Sequence, residues 1–145
     1  MMVFTHLITS FFASAGFGVL FNAPRNALVQ SGLVGMAAWI LYYFLTLGGM
    51  DVVPANIFAA ILAGVLSQIC AKVYKMPVIV FNVSGIIPLV PGGVAYEAMR
   101  HFVENDYYTA VQISAKVMLL AGGIAIGLMF SEVANQLFKK IKFSR

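Results

Sequence analysis

Hydrophobic positions run through this chain in long blocks, and its charged residues fall into short clusters between them. Residues 1–24 carry only His6, 26–50 carry no charge, 52–71 none, 76–96 none and 107–131 only Lys116. A helix needs about 20 mostly apolar residues to cross the hydrocarbon layer of a bilayer. Five such blocks occupy most of the sequence and predict spans at about 4–22, 28–47, 54–71, 77–96 and 109–131. The expected fold is an all-α integral membrane protein, a single membrane domain over 1–145. Ala13-Ser14-Ala15 has the look of a signal-peptide cleavage site, but no Lys or Arg precedes that apolar stretch, so the first block reads as a retained span.

The fourth block breaks the pattern. It runs from Met76 to Tyr96 and contains Pro77, Pro88, Pro91, Gly92 and Gly93. Pro77 suits a helix start, where its missing N–H is not needed. Pro88 and Pro91 cannot both sit in one regular helix, because each removes a backbone bond and clashes with the preceding turn. The expected outcome is a helix to about Gly85, an unwound elbow over 86–93 and a new helix from about Val94. Broken helix inside hydrocarbon is tolerated only where protein or a water-filled cavity surrounds it. A half-helix starting there aims free N–H groups and the positive end of its dipole at the break, as at the substrate sites of secondary transporters.

Composition narrows the class. With 61% hydrophobic and 10% charged residues and a mean hydropathy of +0.93, the chain lacks the roughly 25% charge of a soluble domain. A soluble enzyme, a nucleic-acid binder and a disulfide scaffold are excluded, and Cys70 stands alone. The net charge of +4 is distributed unevenly. With the N-terminus outside, Arg25, Lys72, Lys75, Lys139, Lys140, Lys142 and Arg145 fall on the cytoplasmic side, against Arg100 and Lys116 outside. That bias predicts an N-out, C-in topology. Beyond Ser131, Val133, Leu137, Phe138 and Ile141 recur at helical spacing beside Lys139, Lys140 and Lys142. Residues 132–145 are expected to form a basic amphipathic cytoplasmic tail that anchors on anionic lipid.

Candidate chemistry centres on the elbow. Asn82 and Ser84 are the polar groups before the break, and a structural bond across helices is an equally good reading of either. After it, Glu97, Arg100, His101 and Glu104 share one helix face by their spacings of three and four. They form a candidate exit or gating cluster, or an exposed face with weak ion pairs. Ser31 and Gly35, Ala60 and Gly64, and Gly123 and Gly127 are small residues four apart that let helices approach closely. Trp39, Tyr42 and Tyr43 read as interfacial aromatics. No metal-ligand spacing, phosphate loop or nucleophile with a base is present, so neither an enzyme nor a cofactor is expected.

Two segments carry a family resemblance. Gly18-Val19-Leu20-Phe21-Asn22-Ala23-Pro24-Arg25-Asn26-Ala27-Leu28, together with Ile87-Pro88-Leu89-Val90-Pro91-Gly92, resembles the threonine/serine exporter family, over essentially the whole chain. The resemblance is to the short C-terminal half that forms a separate small subunit in split, two-component exporters. It implies secondary export of threonine and serine, driven by the proton gradient, from a bacterial inner membrane. It also implies a larger multi-span partner subunit; two five-span halves of opposite orientation would form an inverted pair.

The resulting expectation is the small subunit of a two-component exporter of small carboxylate metabolites. Substrate contacts are assigned to Asn82, Ser84, Gly85, Pro88, Pro91, Gly92, Gly93 and Tyr96, with Glu97, Arg100 and His101 at the exit. The alternatives are a dicarboxylate (succinate) export subunit, a non-transporting scaffold subunit and a homo-oligomeric channel.

Overall fold

In hydrocarbon every backbone N–H and C=O must be satisfied within its own segment, so the apolar blocks become helices. The computed structural model describes residues 2–143. Its helices are α1 (Met2–Leu20), α2 (Arg25–Leu47), α3 (Val52–Tyr74), α4 (Val78–Gly85), α5 (Gly92–Val103) and α6 (Tyr107–Phe143), with a 3-10 turn at Ile87–Leu89. Four of them, α1, α2, α3 and α6, are long and apolar enough to cross a membrane. The pair α4 and α5, bent by 56° at its break, passes the same test when taken together and is a candidate fifth span.

The hairpin turns use one device. A residue in the left-handed region ends each helix, at Asn22 (φ 55°), Gly49 (φ 86°), Lys75 (φ 53°) and Asn105 (φ 62°). The following amide then reaches back to the last turn: Ala23 N to Gly18 O at 2.9 Å, Met50 N to Leu45 O at 3.1 Å, Met76 N to Ala71 O at 3.1 Å and Asp106 N to His101 O at 2.9 Å. Carbonyls that the helix end leaves open are thereby satisfied. Asn22 therefore closes α1 ahead of Pro24.

The interior is made of small residues and the exterior of large ones. Ala38, Ala59, Ala60 and Ala63 are fully buried, and they cluster with Val34, Leu89 and Ile124. Phe4, Phe12, Leu20, Ile79, Met118, Met129 and Phe130 point outward. Such an apolar exterior would drive association in water, but in lipid it is already solvated. Helices there gain from close approach rather than from hiding apolar surface. The approaches are tight: a Cβ on Gly85 would lie 2.6 Å from Val34 Cγ1, and one on Gly32 2.6 Å from the Phe11 ring. One on Gly35 would collide with the Ser14 hydroxyl.

α3 and α6 form the longest seam. Asn56 bonds to Leu120 and Gln68 to Glu132, both pairs 64 residues apart, and Lys72 bonds to Asn135, 63 residues apart. A constant separation means that the two helices run parallel. Midway, a Cβ on Gly127 would sit 2.7 Å from Ala60 Cβ and from the Ile57 carbonyl oxygen, and one on Gly64 would collide with Ser131.

The elbow differs from the expectation in detail. Residues 86–91 are not fully unwound: Leu89 N donates to Ile86 O at 2.9 Å and Val90 N to Ile87 O at 3.2 Å. In this 3-10 pattern the missing N–H of Pro88 is not called upon. The new helix starts at Gly92 rather than near Val94, because the Pro91 carbonyl accepts from Ala95 N at 2.9 Å. The first helical positions need no intrahelical N–H bond, so glycines serve there. The last span is longer than its apolar core: α6 continues unbroken from Tyr107 to Phe143. The side chains of Lys139, Ile141 and Lys142 in the tail, and residue Arg145, lie outside the described set.

Candidate functional site: the elbow cavity

The eight residues of α4 rise about 12 Å and the twelve of α5 about 18 Å at 1.5 Å per residue. Were the pair one span across a hydrocarbon layer about 30 Å thick, the break would fall near mid-depth. A cavity of about 200 Å³ opens at this point. The elbow supplies Pro88, Leu89, Val90 and Pro91, and the first turn of α5 supplies Gly93 and Val94. Trp39 and Tyr42 come from α2, Asn56 from α3 and Leu120 from α6. Its volume is below the 300–1,000 Å³ of pockets for drug-sized ligands, which suits a molecule of few heavy atoms.

Its polar groups are few and directed. Gly92 N donates to Val90 O at 2.8 Å and Ala95 N to Pro91 O at 2.9 Å. Between them, the amides of Gly93 and Val94 have no acceptor among the described residues. Two N–H groups at a helix start, backed by the dipole, favour an anion. Asn56 is 1% exposed; its Nδ2 donates to the Leu120 carbonyl at 3.2 Å, and its Oδ1 has no donor among the described residues. That oxygen can accept from an ammonium or a hydroxyl. Trp39 is held by the 3.4 Å bond from its Nε1 to His6 Nδ1 and by its stacking on Tyr42, with centroids 5.2 Å apart. Aromatic faces are themselves favourable to a cation. The arrangement can therefore receive a small molecule with an anionic end and a cationic or hydroxyl end.

The residues singled out from sequence divide into three groups. Pro88, Pro91 and Gly93 line the cavity. Ser84 and Gly85 lie one turn back: the Ser84 hydroxyl donates to Val80 O at 3.3 Å and lines a separate cavity beside Phe21, Asn22 and Pro24. Gly85 is packed on Val34. Asn82 keeps its Oδ1 buried without a partner, away from the elbow cavity. Gly92 and Tyr96 are exposed, Tyr96 at 69%.

The third group is the α5 face. Arg100 Nε lies 3.5 Å from Glu104 Oε1 across one helical turn, and Glu97 is exposed. His101 Nδ1 lies 3.2 Å from Asp106 Oδ2 without hydrogen-bond alignment. Hydrogen bonds from Thr109, with a smaller contribution from His101, hold the Asp106 carboxyl below the usual carboxylate range. These groups sit on the α5–α6 turn, beyond the cavity.

Sequence reasoning missed Asn56 and took Trp39 and Tyr42 for interfacial anchors. The signal for Asn56 was its amide inside a charge-free block, at a spacing of four from Ala60, Gly64, Gln68 and Lys72. That spacing forms one ridge of the helix.

No solved structure matches the chain. An uncharacterised protein of Haemophilus influenzae (strain Rd) is 29% identical over 123 residues, which are 79% of this chain and 41% of that protein. The chain thus spans about two fifths of the length of this relative. The family described as Threonine/Serine exporter, ThrE, matches over residues 6–134, and the chain, a multi-pass membrane protein, belongs to that family.

Proposed function

We propose that this chain is the small membrane subunit of a two-component secondary exporter, with threonine and serine as its substrates. The observation that carries the reading is the elbow cavity. Gly93 and Val94, whose amides have no acceptor among the described residues, line it together with Asn56, Trp39 and Tyr42. The α-carboxylate would rest on the two amides, and the ammonium and side-chain hydroxyl would be satisfied by Asn56 and the aromatic faces. Membership of the exporter family supports the substrate class. This chain matches 41% of the length of its relative, and the proposal assigns the remaining part to a larger partner subunit. The polar face of α5, with Glu97, Arg100 and His101, would then sit at the exit.

The test has two steps. The tagged chain is purified from native membranes in mild detergent, and a stoichiometric multi-span partner is expected. Export of labelled threonine is then measured with the pair in vesicles. A Cβ at Gly93 meets nothing within 4 Å, so Gly93→Leu adds bulk to the cavity lining with no clash at its Cβ. It should reduce export to roughly a tenth or less while abundance in the membrane is unchanged. Undiminished export by this variant would reject the elbow as the substrate site. Recovery of the chain alone, as a defined oligomer that transports, would reject the two-component reading.

A further inference from the structure

A second cavity of about 280 Å³ lies at the other end of the α3–α6 seam, about 18 Å from Asn56 along α3 at 1.5 Å per residue. Its polar lining is Gln68, Lys72, Glu132 and Asn135, and its apolar wall includes Met76 and Val78. It is separate from the elbow cavity, because between the two α3 and α6 close on each other at Gly64 against Ser131 and Gly127 against Ala60.

The chemistry is in how the two charges are held. Glu132 accepts from Gln68 Nε2 at 3.3 Å and, on its other oxygen, from Gln136 Nε2 at 3.3 Å. Lys72 Nζ donates to Asn135 Oδ1 at 2.8 Å. No ion pair joins Lys72 to Glu132 among the described residues. An ammonium and a carboxylate thus line one cavity, each oriented by a neutral amide and neither neutralised by the other. Gln68 is only 7% exposed, so the carboxylate is positioned from a buried support. Lys72 and Glu132 are both exposed at this end of the seam, so the cavity is open to a soluble ligand. A ligand that satisfies both charges at once carries a cation and an anion a few bonds apart.

We propose that this cavity is a second binding site for a free zwitterionic α-amino acid. Its ammonium lies on Glu132, its carboxylate on Lys72, and its small side chain lies against Met76 and Val78. The proposal rests on the amino-acid exporter reading for its choice of ligand, and it adds a site at the end of the bundle that bears Lys72, Lys75 and Lys140. An aminophospholipid head group shares the same pair of charges.

The chain is placed in nanodiscs with and without phosphatidylethanolamine, and binding of labelled L-threonine is measured at equilibrium. The background is Gly93→Leu, the variant that adds bulk to the elbow lining. Binding should persist in that background and weaken roughly tenfold or more on adding Glu132→Gln or Lys72→Met. Threonine methyl ester should be insensitive to Lys72→Met, and N-acetylthreonine insensitive to Glu132→Gln; a merely structural effect would weaken all ligands alike. Binding abolished by Gly93→Leu alone, or indifferent to both charge variants, overturns this site while leaving the elbow reading standing. Phosphatidylethanolamine retained by the chain and not displaced by threonine also overturns it. Loss of export in Gly93→Leu tests the elbow independently of either result.

Discussion

At the scale of single residues, function and stability are separable at Asn56. Its bond to the Leu120 carbonyl is the kind of interhelical contact worth about 0.6 kcal/mol in membrane proteins, and that carbonyl belongs to a continuous helix. Asn56→Leu should therefore alter unfolding in a denaturing-detergent titration by no more than about 1 kcal/mol. The same change removes the Oδ1 acceptor and narrows the elbow cavity, so threonine export should fall roughly tenfold. Loss of both in parallel would make Asn56 a packing residue. The contrast with Pro88 and Pro91 explains what was readable beforehand. A proline disrupts its own turn, so the elbow is a local property visible in six letters. The role of Asn56 depends on a carbonyl 64 residues away, and no local pattern encodes that. Asn82 and Ser84 are neighbours of the break in sequence, yet neither lines the elbow cavity, and Ser84 lines a separate cavity beside Phe21, Asn22 and Pro24.

Among elements, the α3–α6 pair holds the most, since both cavities lie along it. Its small residues four apart were legible as a packing signal. Which helix they would meet was not, because Ala60-Gly64 and Gly123-Gly127 suit several pairings equally. Parallel packing at a constant separation results from the bent span, which returns the chain to the starting face before α6 begins. At Gly127 an added Cβ would lie 2.7 Å from the Ile57 carbonyl oxygen. That neighbour is backbone and cannot rotate away, so the helices must separate. Gly127→Ala should destabilise the protein by about 1–3 kcal/mol in the detergent titration. Gly122→Ala, where a Cβ meets nothing within 4 Å, should be stable within about 0.5 kcal/mol. Equal behaviour of the two variants would mean that the seam is not held by close approach. Because the seam separates the cavities, Gly127→Ala should also impair export by more than its loss of abundance explains.

For the whole molecule, the spans alternate so that Arg25, Lys72, Lys75 and Lys140 gather at one end, with Asp51, Glu97, Arg100, Glu104, Asp106 and Lys116 toward the other. Net composition says nothing of this separation; the positions of the charges do, and they were readable before any fold. The two cavities were not, since each draws residues from three or more elements. Positive charge is retained on the cytoplasmic side of a membrane; under the N-out, C-in topology that the charge bias predicts, the Lys72–Glu132 cavity would lie at the loading face of the proposed exporter and the α5 polar face at the exit. In the proposed order, a charged, accessible site at the cytoplasmic end would meet the zwitterion first, and the deeper elbow, whose polar groups are all neutral, would hold it less tightly and release it outward. Single cysteines in a Cys70→Ser background decide the orientation. Asn105→Cys should react with a membrane-impermeant maleimide in intact cells, and Lys140→Cys should react only after the membrane is opened. The reverse pattern would put the charged cavity at the exit, where it would recapture substrate, and the export direction proposed for the pair would then fail.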